Sequence, residues 1–532
     1  MPETVIETRT CTHCASAFDI TDVDQTFLEK LPPTIAGLKI SLPFPTHCPK
    51  CRKMRRYAWR NEKNIYKRKC DATGKEIISL FWPDAPCPVY ESAYWYSDAW
   101  DARKYARDFD FSKSFFEQWW ELKKVVPMPG KAISYTMENS DYSDNCGGLK
   151  NCYLCFNGGF CEDCLYTTNM WNTKDCIDCI SIVRCESCYE LSASLDCYKV
   201  HFSYDVRNSR ESMFLYHANG CKNCYGCYDL ENKEYCIWNE QYTPEAYREK
   251  IWEIMKSSLE TQKQTVDTFL KRTWYTKKSL ENIWCENIVS STNSENSKNV
   301  SFSTYARNSE DIRYCFYMVD SKVAMDADIW GDRMERTYES TIIGDSSNHI
   351  LFSISSWENI SNLIYCSHCI GNVHNCFWCI GLRDASYCIL NKQYTKEEYE
   401  VLVPKIIEHM VKTGEWGEFF PAKYSHFGYN QTMNMTKYPL AKEQALRQRF
   451  TWSNFEAPFP KVAKTIPWAQ LPDEISKIPD DILNWAIECE VTGRPFRIMA
   501  KELEFYRKHS LPVPRKHPEE RYQERTKWYL NY

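Results

Sequence analysis

The chain has 532 residues, a net charge of −5, a pI near 6.2, 28 cysteines and 15% aromatic residues. A field of that sign does not draw the whole protein to nucleic acid or to an anionic membrane, so any electrostatic partner has to be read from local clusters. No stretch approaches the roughly 20 apolar residues of a membrane span and no secretory signal opens the chain, so a cytoplasmic setting with reduced thiols or metal ligands is expected, with no membrane partner.

Taken in order, residues 1–70 carry the most specific motif. Cys11-Thr-His-Cys14 and Cys48-Pro-Lys-Cys51 are two CxxC knuckles, the pattern from which two short turns build a tetrahedral thiolate zinc site. Four cysteines leave no open position for water, so the expected cofactor is structural Zn rather than catalytic Zn. Behind the second knuckle, residues 50–69 hold ten Lys or Arg against the single acid Glu62, with aromatics interleaved. Arg52, Arg55, Arg56, Arg60, Lys67 and Arg68 are candidate phosphate contacts, and Tyr57 and Trp59 candidate stacking platforms, for RNA or DNA. The competing reading is a helix whose aromatics reach a core.

The run from Cys11 through Phe18, Phe27, Pro45 and Cys48 to Arg56 resembles a small zinc-ribbon module of treble-clef-like type. The whole chain resembles an uncharacterised group of cysteine-rich proteins from bacteria with reduced genomes, some of which carry a CaiB/BaiF CoA-transferase label. That resemblance implies a zinc-binding module and no established activity.

Residues 71–132 are rich in aromatics, with Phe115, Trp119 and Leu122 on one helical face, and are expected to form a helical cap for the open end of a solenoid. From Leu149 to Cys236, cysteine recurs on a 12-residue lattice. One column reads Cys152, Cys164, Cys176, Cys188, Val200, Ser212, Cys224 and Cys236, often preceded by Asn or Asp. Replacement in register by Val, Leu, Ser and Thr points to stacked core positions, and the period to a β-solenoid, expected to have a 24-residue rung of two similar halves. The alternative groups the CxxC pairs into zinc sites, which the spacing leaves open.

Cys236-Ile-Trp-Asn239-Glu-Gln241-Tyr242-Thr243 returns 152 residues later as Cys388-Ile-Leu-Asn391-Lys-Gln393-Tyr394-Thr395, each phrase opening a helix with a Thr cap. The middle of the protein therefore reads as a duplication, 133–280 and 281–412. The second copy keeps the period with few cysteines; Cys366, Cys369, Cys376 and Cys379 are its candidate second metal site. Residues 413–470 read as an ordered aromatic loop segment. Residues 471–532 repeat the first module in degenerate form, with Cys489, Thr492, His517 and Glu520 in the ligand positions, and are expected to hold together by packing without metal.

The fold class expected is mainly β with helical elements: a duplicated β-solenoid, parallel β-helix-like, between an N-terminal zinc ribbon and a degenerate C-terminal ribbon. The function expected is that of a zinc-binding, non-enzymatic interaction or scaffold protein, with RNA or DNA at the N-terminal segment and an unidentified protein partner along the solenoid. The alternatives are an enzyme, CoA-transferase-like or thiol redox, and a purely structural protein-protein scaffold. The sequence leaves the oligomeric state open.

Overall fold

The computed structural model describes residues 3–133, 136–256, 258–273, 282–292, 294–456 and 461–530. A β-solenoid of about 20 turns lies between residues 137 and 389. Asp144 pairs with Phe156, Phe156 with Thr168, Thr168 with Ile180 and Ile180 with Ser192, all in parallel. Each of these steps is one complete turn, so the rung is half as long as expected. The second block begins with the same step, Glu286 to Lys298 to Glu310 to Lys322, and its later turns lengthen by one, as in Lys322 to Glu335, Met334 to Ser347 and Ile360 to Val373.

So short a turn closes because the backbone bends every third residue. Asn145, Asn151, Leu154, Asn157, Phe160 and Asp163 all have φ between 50° and 57°, and the series continues through both blocks. The residue after each bend faces inward, which gives four inward columns; Asn and Asp are frequent at the bends because they tolerate the left-handed region. Three residues span at most about 10 Å, so each side offers the interior one small side chain. That is why a core this narrow can be filled. Gly158 is the limiting case, since a Cβ there would lie 2.1 Å from the Met170 carbonyl oxygen.

The inward thiols are hydrogen-bonded as well as packed. Cys152 Sγ donates to the Lys150 carbonyl at 3.4 Å, in the same i−2 geometry that Thr167 Oγ1 uses to Leu165 (3.1 Å) and Ser203 Oγ to His201 (2.8 Å). Cys, Ser and Thr are thus interchangeable in the lattice. All 28 cysteines are free, and all but Cys14 and Cys285 are buried. Outside, amides form ladders from turn to turn: Asn139 to Asn151 and Asn151 to Asp163, both at 3.1 Å.

The chain divides into two compact units. Unit 1 comprises Met1–Lys131 with Ser279–Asn454, and unit 2 comprises Ala132–Lys278 with Phe455–Tyr532. The aromatic segment therefore falls in the same unit as the second solenoid block. Phe115 stacks on Trp378 with centroids 4.0 Å apart, and Trp119 stacks on Phe420 at 4.1 Å. The expected 413–470 segment is divided between the units near residue 455. Helices Pro244–Met255 and Lys396–Lys412 follow the two repeated phrases, capped by Thr243 and Thr395, and Leu259–Thr273 adds a second helix in unit 2. Among the described residues no helix is long and apolar enough to cross a membrane.

Candidate metal centre

Strands Val5–Thr10 and Ala17–Thr21 form an antiparallel hairpin whose turn is the first knuckle. Ala15 takes φ 60°, letting its amide reach the Cys11 carbonyl while the Cys11 amide bonds to Ser16. The second knuckle opens the helix Pro49–Tyr57: Cys48 is its N-cap, Pro49 its first residue, and Cys51 lies in its first turn. Without a cation, burial raises the pKa of the Cys48 and Cys51 thiols, whereas hydrogen bonding by Ser16 lowers that of the exposed Cys14 to about 6.

The Sγ atoms of Cys11, Cys14, Cys48 and Cys51 all lie within 4.8 Å of one another, with Cys14 and Cys48 at 3.8 Å. Tetrahedral zinc–sulfur bonds of about 2.3 Å would hold the sulfurs about 3.8 Å apart, so the donor set and its spacing fit a four-thiolate metal site. Cys366, Cys369, Cys376 and Cys379 are instead inward residues of neighbouring turns. Cys366 Sγ reaches the Cys376 carbonyl at 3.5 Å and Cys369 Sγ that of Cys379 at 3.6 Å, which places them in the packed lattice.

The opposite face of the Pro49–Tyr57 helix is fixed to the solenoid wall. One outward column of that wall reads Phe302, Tyr314, Asp326, Glu339, Phe352, Tyr365 and Trp378, an aromatic stack interrupted by two acids. Arg52 Nε bonds Asp326 at 2.6 Å; Arg56 bonds Asp328 at 2.5 Å and Glu339 at 3.4 Å; Arg55 spans Glu339 (2.9 Å) and Glu418 (2.5 Å). Arg56 is 0% exposed, Arg52 and Arg60 1% each. Burial alone would raise the Glu339 carboxyl, but Arg55, Arg56 and Arg52 hold it below the usual range. For Asp326 burial wins over Arg52 and Arg56, and its pKa is raised.

These positions correct the expected phosphate-binding face. Arg52, Arg55, Arg56, Arg60 and Arg68 are buried, as are Tyr57 and Trp59, and the guanidinium groups of Arg52, Arg55 and Arg56 are occupied by carboxylates; of the eight side chains, Lys67 alone is exposed. Sequence reasoning missed Asp326, Asp328 and Glu339. The signal was available, because Asp326 and Glu339 fall in register with Tyr314 and Phe352 in a column otherwise aromatic.

Unit 2 repeats the arrangement. The hairpin of Trp485–Glu488 and Pro495–Phe496 keeps the knuckle bonds, Cys489 amide to Arg494 and Gly493 amide to Cys489, with Gly493 at φ 67° where Ala15 stands. The Cys489 Sγ now accepts a hydrogen bond from the His517 amide at 3.3 Å, and Ile487, Phe496, Leu503 and Phe505 fill the core. From helix Pro518–Leu530, Arg521 pairs with Asp178 and with Glu502 at 3.2 Å, and Arg525 pairs with Asp178 at 3.0 Å. The wall column here reads Tyr166, Asp178, Glu190, Phe202 and Phe214. Arg521 lies 4.8 Å over Tyr166, as Arg52 lies 5.3 Å over Tyr314. Each module therefore grips one solenoid block in the same way.

A second buried polar cluster sits under the aromatic segment of unit 1. Lys123 Nζ donates to Ser367 Oγ at 2.9 Å, beside His368, His426 and Cys87, and burial lowers its pKa to about 7. Because the unfolded chain binds this proton more tightly than the folded one above pH 7, the contribution to stability rises with pH there. The buried thiols, whose pKa values are mostly raised, act in the opposite direction above about pH 8.5. Between pH 7 and 8.5 we expect wild type to gain on Lys123→Met by about 1–2 kcal/mol in urea unfolding. A difference that does not change with pH would show that the amine is not being neutralised.

No family model and no curated protein matches the chain. Among solved structures, a protein of Desulfovibrio desulfuricans G20 named provisionally as an acetyltransferase is similar at 7% identity over 52% of this chain and 71% of that one, with a TM-score of 0.10.

Proposed function

We propose that the protein is a non-enzymatic scaffold in which structural zinc holds the N-terminal module in the shape that grips the second solenoid block. The observation that carries this reading is the closed set of four cysteines at one end of a helix whose other face is ion-paired to the wall. Four sulfur ligands leave no position for a substrate or an activated water. Cys11, Cys14, Cys48 and Cys51 would hold the ion, and its contribution would be to fix the start of the helix. The outer faces of the solenoid, with amide ladders such as Asn287 to Asn299 and the half-buried stack of Tyr305 on Tyr317, would be the surface for a protein partner.

Nucleic-acid contact has less to rest on, because Lys67 is the one exposed side chain of the eight expected to make it. Thiol redox chemistry has little to act through when nearly every thiol is buried. Native mass spectrometry tests the zinc assignment. One zinc per chain is expected, lost in Cys14→Ser and Cys48→Ser and kept in Cys366→Ser and Cys489→Ser. A zinc ion that survives Cys48→Ser, or a second one lost with Cys366, would sink it. A salt series with labelled RNA and DNA checks the other reading, since phosphate contacts would appear as affinity falling with log salt.

A further inference from the structure

The repeated grip is not satisfied equally in the two units. In unit 1 the Arg56 guanidinium bonds Asp328 through Nε and Glu339 through Nη1. Its counterpart Arg525 is 7% exposed and pairs with Asp178, yet none of its three nitrogens has a well-directed hydrogen bond among the described residues. The reason is visible in the sequence. Asp328, two positions beyond Asp326, corresponds to Ile180, two positions beyond Asp178; and Glu190, which corresponds to Glu339, bonds Lys263 at 3.3 Å and acts on Arg525 through its charge without a hydrogen bond to it. A buried guanidinium with unmade hydrogen bonds is costly unless something supplies the acceptors.

Arg525 also lines a cavity of about 420 Å³ within unit 2, walled by Ser192, Phe202, Tyr204, Phe214, Lys263 and helix residues of Leu259–Thr273. Ser192 is the strand partner of Ile180, so the cavity opens beside the place where the missing carboxylate would stand. Phe202 stacks on Phe214 at 5.1 Å and Tyr204 on Tyr216 at 5.7 Å, forming flat aromatic walls. In unit 1 the equivalent stretch of column, Phe352 and Tyr365, is covered by Trp416 and Phe420. The other charges at the cavity are already paired: Glu190 with Lys263, Glu524 with Lys516, and Arg521 with Asp178 and Glu502, while Glu260 and Asp267 are exposed on their helix.

We propose that this cavity binds a small oxyanion carried on a flat aromatic group, its carboxylate or phosphate oxygens taking at Arg525 the place that the Asp328 side chain takes at Arg56. The ring lies along the Phe202 and Tyr204 columns. Calorimetric titration of the full-length protein with benzoate, phenyl phosphate, inorganic phosphate and uncharged benzyl alcohol tests this. Saturable binding of benzoate or phenyl phosphate at up to about 10 mM is expected, at least tenfold tighter than benzyl alcohol, and the preferred headgroup separates a carboxylate ligand from a phosphate one. Ile180→Asp, which restores the carboxylate in the wall, should abolish binding while raising or preserving the melting temperature. Arg525→Met should also abolish it, and covers the case in which the aspartate variant does not fold. Wild-type protein that binds neither aromatic anion at about 10 mM, or variants that bind them as wild type does, would overturn the proposal.

Discussion

Replacing Arg56 with methionine will destabilise unit 1 by about 3–5 kcal/mol in urea unfolding. The side chain is wholly buried against Asp326, Asp328 and Glu339, none of them more than 1% exposed, so its removal strands carboxylates that cannot recover water. Arg56→Lys will recover little, because a point charge on a flexible stem cannot meet three carboxylates at once as a planar guanidinium does. Changing Arg56 and Asp328 together to apolar residues of similar volume should return much of the loss, since the cost lies mainly in unpaired charge. An Arg56→Met protein within about 1 kcal/mol of wild type would mean that the cluster contributes only shape.

Removing the proposed zinc will have a larger local effect. Metal binding to a closed four-thiolate set contributes on the order of 10 kcal/mol to the folding of a small module at neutral pH, far more than the packing of Phe18 and Ile20 around Cys11, Cys48 and Cys51 can replace. Chelation is therefore expected to release the Pro49–Tyr57 helix from the wall and to lower the unfolding temperature of unit 1 sharply. The C-terminal module, with Thr492, His517 and Glu520 where three cysteines stand in the first, should not respond. Calorimetry with and without chelator separates the two, and a chelator that leaves the unit 1 transition unmoved would contradict the zinc assignment.

Much of this architecture is legible in the residues. The 12-residue lattice, the duplication, the four-cysteine module and its C-terminal echo are all periodic or repeated, and repetition survives the loss of any one residue. Asn and Asp before the cysteine columns mark the bends, as at Asn151 and Asp163. The length of a turn is harder to read, because a single period looks too short to enclose a core. The structure closes it by bending at every third residue, including Leu154 and Phe160, which do not advertise a left-handed conformation. The basic segment is opaque for a different reason. A row of arginines looks the same in sequence whether it faces water or carboxylates from the far half of the chain, and only the register of two distant elements distinguishes them.

That distance bears on how the protein is made. Asp328 follows Arg56 by 272 residues, so at 5–20 residues per second the N-terminal module waits roughly 15–50 s on the ribosome for the wall it will grip. Throughout that interval its arginines face solvent and whatever polyanion is nearby, and the module has to keep its shape unaided. The C-terminal module emerges to find Asp178 laid down 343 residues earlier. The module that must stand alone is the one that keeps four cysteines in metal-binding geometry, and the one born beside a finished wall has given up three of those positions.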